Sequence, residues 1–265
     1  MALVETEVAE GVMTITLADE PRRNALSAAL LDELVGAIDV AESDPTIRVI
    51  VVTNRGSVFC AGADLREQVG RPATGDVGLF SLSELFVRIQ RSPLPFVGRV
   101  MGHCVAGGVG LAAVLDICVS VDSATFGFSE VRVGVAPAII SVVCLAKMRR
   151  ADAQSAFLRG NRFAASDALD MGLIARVATL EAIDDEVTAI VNDLLAGEPG
   201  ALAAAKQLTH VVPSMGVDEA FAWTSALSNS LFRSDHAREG MTAFLEKRPA
   251  IWVQRLSSPT DEPVD

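Results

Sequence analysis

Gly102 to Leu111, with the sequence GHCVAGGVGL, connects a β-type run at 95–100 (PFVGRV) to an apolar helical run at 111–115. Three of its last five residues are glycines, which allow a tight turn and let a ligand approach the backbone. The first turn of the helix that follows leaves N–H groups without intrahelical partners, at the positive end of the helix dipole. The stretch therefore predicts either a site that holds a developing negative charge or a tightly packed strand–turn–helix corner.

A second segment of the same kind lies earlier in the chain. Val58 to Leu65 (VFCAGADL) follows the apolar run 48–53 (RVIVVT), which is typical of a buried strand. The segment ends a strand in small residues and places an acid at the start of the next helix. Two such strand–turn–helix junctions in one chain favour a functional use of the glycine-rich turns.

Together, FCAGADL and the pattern from Gly102 to Asp116 (GHCVAGGVGLAAVLD) resemble the enoyl-CoA hydratase/isomerase (crotonase) superfamily. The resemblance extends over almost the whole chain. The segment from 129 to 141 (SEVRVGVAPAIIS) is most similar to the branch that hydrates branched acyl-CoAs such as methylglutaconyl-CoA. The further matching segments are 21–27 (PRRNALS), 126–134 (FGFSEVRVG), 158–160 (LRG), 168–174 (ALDMGLI) and 238–248 (REGMTAFLEKR).

Composition limits the classes of function. The chain has 265 residues, of which 50% are hydrophobic, so it can build a large core. Its net charge of −12 argues against nucleic acid or an anionic membrane surface as the main partner. No apolar run reaches the ~18 residues of a membrane span, and the acidic N-terminus lacks the features of a signal or transit peptide. We therefore expect a cytoplasmic protein whose four scattered cysteines are buried thiols.

Periodicity predicts an α/β protein with a helical C-terminal region. A hairpin is expected over 3–17, and Ser27 is a plausible N-cap for a helix that ends near Ser43. The Gly/Pro-rich stretch 70–76 is predicted to be a mobile loop. Beyond about residue 179 the pattern is helical, with predicted helices at 180–195, 201–209, 217–232 and 235–246.

Periodicity alone does not distinguish a doubly wound sheet from a spiral. The resemblance implies a crotonase-like spiral of stacked ββα units followed by an α-helical trimerisation region. It places the spiral core at 1–195, the helical oligomerisation region at 196–256 and a flexible tail at 257–265. Oligomerisation is expected, because the helices of 199–246 carry more apolar residues than a peripheral layer leaves exposed. The resemblance implies that the oligomer is a homotrimer or a hexamer.

The resemblance also implies the ligand and the first catalytic groups. The ligand is an acyl-CoA thioester, and no separate cofactor or metal is expected, since coenzyme A is part of the substrate. The backbone N–H groups of Ala63 and Gly107 match the pair that binds the thioester oxygen. Donors aimed in advance at a developing oxyanion stabilise it by about 3 kcal/mol each.

The acid–base residues depart from the usual family pattern. A typical hydratase has one glutamate just after the glycine-rich turn and another about twenty residues later. Here Gly110 stands at the first position, whereas the second is retained as Glu130. A carboxylate enclosed beside a thioester can have a raised pKa and move protons at neutral pH.

Further positions match the residues that line the CoA and acyl sites of the family. Arg22 and Arg23 suit phosphate groups through charge and bidentate geometry, and Phe244 and Lys247 match residues that reach the adenosine, often from a neighbouring subunit. The side chain of Asp64 is interpreted as a helix-start residue, that of Asp116 as structural and that of His103 as packed or hydrogen-bonded. The predicted binding positions are Arg22, Arg23, Ala25, Ala61, Asp64, Leu65, Gly108, Gly110, Phe244 and Lys247.

Three functions remain open from the sequence. The resemblance favours an enoyl-CoA hydratase, which adds water to a 2-enoyl-CoA through a stabilised thioester enolate. An enoyl-CoA isomerase with Glu130 as its only base is the second hypothesis, because one carboxylate suffices to move a double bond. A weakly catalytic acyl-CoA-binding relative is the third.

Overall fold

The computed structural model describes residues 2–69 and 79–253, and it begins with the predicted hairpin. Strands β1 (Val4–Ala9) and β2 (Val12–Leu17) pair antiparallel. Alternate residues of β2 face the core, as a half-buried strand requires. Helix α1 (Ala28–Ser43) begins at Ser27, whose Oγ accepts a hydrogen bond from the backbone N of Leu30 at 3.3 Å. The predicted N-cap is therefore confirmed.

The larger sheet has six strands in the order β1-β2-β3-β5-β7-β10, and every pair in it except β1–β2 is parallel. Its central strand β3 (Val49–Asn54) is buried along its whole length, which explains its continuous apolar sequence. The other strands are β5 (Phe96–Val100), β7 (Ile117–Val121) and β10 (Arg176–Ala178).

A smaller sheet of three-residue strands runs in the order β4-β6-β8-β9. Its strands are β4 (Val58–Cys60), β6 (His103–Val105), β8 (Thr125–Gly127) and β9 (Arg162–Ala164). Strand β4 is followed by α2 (Leu65–Val69) and α3 (Leu79–Arg91), β6 by α4 (Gly107–Val114), and β8 by α5 (Ala138–Cys144).

Three successive units therefore share one design. In each unit the first strand joins the six-stranded sheet, the second joins the four-stranded sheet, and a helix follows. The predicted stacking of ββα units is confirmed, and a doubly wound single sheet is excluded. The predicted loop at 70–76 and tail at 257–265 lie outside the described residues.

The C-terminal part of the described chain is helical, as predicted. No helix among the described residues is long and apolar enough to cross a membrane. Helix α10 has no buried residue in the single chain, and Phe221 and Phe232 on it are 70% and 69% exposed. The helices are α6 (Arg150–Arg159), α7 (Ala165–Asp170), α8 (Ile183–Ala196), α9 (Pro199–Val211), α10 (Val217–Phe232) and α11 (Asp235–Glu246).

All four cysteines are buried free thiols, as the sequence predicts. Burial raises the pKa of the Cys60 and Cys118 thiols to about 12. Thiols with so high a pKa are not thiolates at neutral pH, so they serve as small apolar side chains in the core.

Candidate active site

Two backbone N–H groups meet where the two glycine-containing turns touch. A Cβ built on Gly62 would lie 2.8 Å from the backbone N of Gly107, and one built on Gly107 would lie 3.5 Å from the backbone N of Ala63. Neither the N–H of Ala63 nor that of Gly107 donates to an acceptor within 2–69 and 79–253. Gly107 is the first residue of α4, where the helix dipole is positive. The arrangement suits an oxyanion that accepts from both groups.

Gly62 is a glycine for two reasons. Its φ of +84° is a conformation that side chains disfavour. In addition, a Cβ would lie 2.9 Å from the carbonyl oxygen of Val105 and would separate the two turns. The close approach of the turns therefore depends on this residue.

The N-terminal segment 23–26 holds the first turn in place. The backbone N of Ala61 donates to the carbonyl of Arg23 at 3.1 Å, and the backbone N of Leu26 donates to the carbonyl of Gly62 at 2.8 Å. Between them, the fully buried Asn24 donates through Nδ2 to the carbonyl of Val58 at 2.8 Å. Sequence reasoning did not assign Asn24 a role, although an asparagine tolerates the positive φ of 51° observed here.

The second turn contains a strained residue. Ala106, which precedes α4, has φ 51° and ψ −122°, a combination that residues with a Cβ rarely adopt. Its backbone N donates to the carbonyl of Gly127 at 2.8 Å. This bond ties the N-terminus of α4 to the end of β8, three residues before Glu130.

Glu130 lies in a 3₁₀ helix (Ser129–Val133) and is partly buried. Its Oε2 is inaccessible to solvent and has no hydrogen-bond partner among the described residues. Burial raises the pKa of this carboxyl above its ordinary value, against the opposing effect of a bond from its own backbone N–H. The pKa of the Cys144 thiol in α5 is raised mainly by burial and secondly by the negative charge of Glu130, so Glu130 lies near α5. A carboxylate that has one unpartnered oxygen and a raised pKa can act as a general acid or base at neutral pH.

The space beside Gly110 is filled. A Cβ built on this residue would lie 2.3 Å from Cγ2 and 2.7 Å from Cβ of Ile140, and 3.1 Å from Cζ of Phe86. The sequence shows that a glycine stands at position 110, where the usual hydratase pattern has a glutamate. The packing shows in addition that the site has no room for one in this arrangement.

The other predicted binding positions are distributed around the first turn and on the last helix. Ala25 is buried, and Ala61 is half-buried beside Gly62. Gly108 packs so closely that a Cβ would lie 2.1 Å from the carbonyl oxygen of Cys60. Arg22 and Arg23 are exposed at the end of a 3₁₀ helix (Glu20–Arg22), and Leu65 is 56% exposed.

Phe244 and Lys247 lie at the end of α11. Phe244 is 83% exposed on α11, and Lys247 follows the helix with φ 54°. No hydrogen bond or ion pair among the described residues connects either side chain to 22–26 or 61–65. Their contact with the adenosine end of a ligand stays a prediction.

Three polar residues have the structural contacts that the sequence suggested. Asp64 Oδ1 accepts from the backbone N of Arg66 at 2.9 Å, as a helix-start residue does. Asp116 Oδ2 accepts from the backbone N of Phe96 at 2.8 Å. The Nδ1 of His103 accepts from the backbone N of Thr125 at 3.0 Å.

Comparison with known proteins agrees with this fold. Residues 7–255 match the family model described as enoyl-CoA hydratase/isomerase. A candidate enoyl-CoA hydratase of Thermus thermophilus is 35% identical over 243 residues, which cover 90% of this chain and 96% of the relative. A carnitinyl-CoA dehydratase of Citrobacter koseri is 31% identical over 254 residues, with 92% and 95% covered. The crystal structure of an enoyl-CoA hydratase of Mycobacterium smegmatis superposes with a TM-score of 0.87 at 31% identity, covering 95% of this chain and 99% of that one.

Proposed function

The chain belongs to the enoyl-CoA hydratase/isomerase family, and from that premise we propose that it is a hydro-lyase that adds water to a 2-enoyl-CoA. One observation carries the proposal. The turns of Ala63 and Gly107 present two unused N–H groups, and the segment tied to the second turn carries Glu130, whose buried carboxylate oxygen is unpartnered among the described residues. A thioester needs these two functions, since its oxygen becomes negative while a proton moves at the neighbouring carbon.

In the proposed reaction the thioester oxygen accepts from the N–H groups of Ala63 and Gly107. The oxygen of a water molecule forms a bond to C3, and the electrons of the double bond move into the thioester, which becomes an enolate. A proton is then delivered to C2. With one carboxylate, Glu130 first takes a proton from the water molecule. The protonated Glu130 carboxyl then gives this proton to C2, so that the atoms and charges balance.

The names of the relatives support movement of water. One relative is named an enoyl-CoA hydratase and another a carnitinyl-CoA dehydratase, so both names describe addition or removal of water at a CoA thioester. Addition and elimination of water are the same reaction in opposite directions, so the same groups serve both.

An enoyl-CoA isomerase is the second candidate, and the packing at Gly110 favours it. Ile140 and Phe86 give that side of the site an apolar surface, where the usual hydratase pattern has a water-holding carboxylate. A single base can remove a proton from C2 of a 3-enoyl-CoA and return it to C4 without any water. Glu130 would perform both transfers.

For the CoA moiety, we propose that Arg22 and Arg23 contact phosphate groups next to the 61–65 turn. Phe244 and Lys247 would contact the adenosine end of a ligand bound to a neighbouring copy. The exposed aromatic side chains of α10 and α11, including Phe221 and Phe232, support burial of this region between subunits. A homotrimer, or a hexamer made of two trimers, would bring the two parts together.

The test is a panel of straight and branched 2-enoyl-CoA and 3-enoyl-CoA thioesters, with products measured by mass. A gain of one water supports the hydratase, whereas an unchanged mass with a shifted double bond supports the isomerase. Binding of CoA thioesters without turnover of either series would contradict both and leave the weakly catalytic relative. Light scattering on the same sample tests the oligomer, because a monomer at micromolar concentration is inconsistent with a shared adenosine site.

A further inference from the structure

The side chain of Ile140 fills the space that a side chain at position 110 would need, between the packed helices α4 and α5. Gly110 lies on α4 one turn after Gly107, so the two residues share a face of the helix. Ile140 lies on α5 and is 3% exposed, and Phe86 on α3 is 4% exposed. A side chain at position 110 would point toward Ile140 and Phe86.

A change of rotamer at Ile140 cannot open this space. A Cβ added at residue 110 would lie 2.3 Å from Cγ2 of Ile140, but also 2.7 Å from its Cβ, an atom whose position does not depend on the side-chain torsion. Isoleucine in a helix is in addition restricted to essentially one χ1 rotamer. Phe86 differs, because its nearest atom is the far end of a side chain, at 3.1 Å. Ile140 is therefore the residue that closes the space.

We propose that Ile140 is a specificity-determining residue that limits the active site to one carboxylate. This inference rests on the proposed function, in which Glu130 moves the proton. With Ile140 present, position 110 cannot carry an acid, and the apolar surface of Ile140 and Phe86 leaves Glu130 as the acid placed to hold water. Glycine at 110 and isoleucine at 140 are then a matched pair, and a second carboxylate requires that both change.

The experiment is a double-mutant series built on Gly110→Glu. Alone, this change inserts a side chain into filled space, and we expect a loss of about 5 °C or more in Tm and a loss of turnover of roughly tenfold or more. Adding Ile140→Ala removes Cγ2 but leaves the Cβ, so rescue is partial. Adding Ile140→Gly removes both atoms and gives the fuller rescue, judged against the single Ile140 variants.

Val143→Gly is the matched control, because Val143 is equally buried on α5, at 3% exposure, and contributes none of the three atoms nearest to a Cβ at position 110. It should not rescue Gly110→Glu. The Gly110→Glu/Ile140→Gly protein should also gain a second ionisation in its pH–rate profile, since two carboxylates that share a site titrate apart.

The outcomes separate this inference from the proposed function. Equal rescue by Val143→Gly, or a Gly110→Glu protein as stable and active as the wild type, would overturn the inference alone. A wild-type protein that turns over no enoyl-CoA would overturn the proposed function and the role of Ile140 together. Rescue of Tm and turnover with the second ionisation supports the pairing.

Discussion

Lys206 Nζ lies 2.8 Å from Asp116 Oδ2, and the two side chains are only 7% and 17% exposed. The same ammonium donates to the carbonyl of Leu94 at 2.9 Å and lies 4.7 Å from the centre of the Phe96 ring. Asp116 follows α4, and Lys206 belongs to α9. This buried pair therefore attaches the C-terminal helices to the end of the helix that carries Gly107.

Lys206→Met should destabilise the protein by about 3 kcal/mol, because it removes the ammonium nearest to the partly buried Asp116 carboxylate and leaves His210 Nε2, at 3.7 Å, beside it. Adding Asp116→Asn should recover part of the loss, since the unpaired charge is then removed. Urea unfolding of the single and double variants measures both effects. Arg150→Met, at an exposed position, is the control and should change stability by less than about 0.5 kcal/mol. A Lys206→Met protein as stable as this control would contradict the prediction.

The sequence predicts those parts of the fold that local pattern determines. The hairpin and the helices 217–232 and 235–246 have the periods that their structures require, and Ser27 caps α1 as its sequence predicts. The glycine-rich turns identify where the candidate oxyanion site lies. The second sheet could not be predicted from local pattern, because strands of three residues show no period and pair with residues 22 to 45 positions away along the chain.

Other parts of the site depend on contacts that no local signal records. Asn24 holds the carbonyl of Val58 across 34 residues, and Ile140 meets Gly110 across two helices. The strain at Ala106 also has no sequence signal, because alanine is typical of helix and is rare at positive φ. Such relations are set by packing in three dimensions, and only the folded structure reveals them.

Gly62→Ala should lower turnover by about 10²–10³-fold, the range for loss of one oxyanion donor. The added methyl group would lie 2.8 Å from the backbone N of Gly107 and would push the two turns apart. Gly11→Ala is the control for backbone strain, because Gly11 has a similar φ of +80° but lies in the turn between β1 and β2, outside the candidate site. Initial rates and Tm of both variants are compared. A similar loss of turnover in both would show that strain, and not the contact between the turns, is responsible.

Arg23→Ala and Lys247→Ala should each raise KM more than they lower kcat. The proposed phosphate and adenosine contacts are made equally in the ground state and the transition state, so they contribute to binding and not to the chemical step. Because the protein has a net charge of −12, binding of a CoA anion should weaken as salt screens the local cations. Steady-state kinetics at low and high salt test this, with the exposed Arg176→Ala as control. If KM is unchanged in both variants, the assigned CoA end is wrong.

Glu130→Gln should stabilise the protein at neutral pH. Burial raises the pKa of this carboxyl in the folded state above its ordinary value of 4.5, so folding favours the protonated form. The favourable contribution is fully present below the unfolded-state pKa and is lost as the pH rises through the folded-state pKa. The free energy of unfolding of the variant should therefore exceed that of the wild type near pH 7 and approach it at acidic pH. Urea unfolding at both pH values measures this, and a less stable variant at neutral pH would contradict it.

The same substitution should abolish most turnover and leave acyl-CoA binding nearly intact. The N–H groups of Ala63 and Gly107 survive the change, so the thioester oxygen keeps its partners, whereas the carboxylate that moves the proton is lost. General acid–base groups contribute about 10²–10⁴-fold, and with Gly110 enclosed by Ile140 no second carboxylate stands at that position.

Calorimetric binding and turnover with the best thioester of the panel measure the two effects separately. Glu186→Gln, an exposed change on α8, is the control and should retain wild-type rates. If Glu130→Gln keeps more than about a tenth of the wild-type turnover, a loss below the lower end of that range, another acid is the catalyst. Asp64 and Glu67 at the start of α2, and Glu84 on α3, are then the first residues to replace.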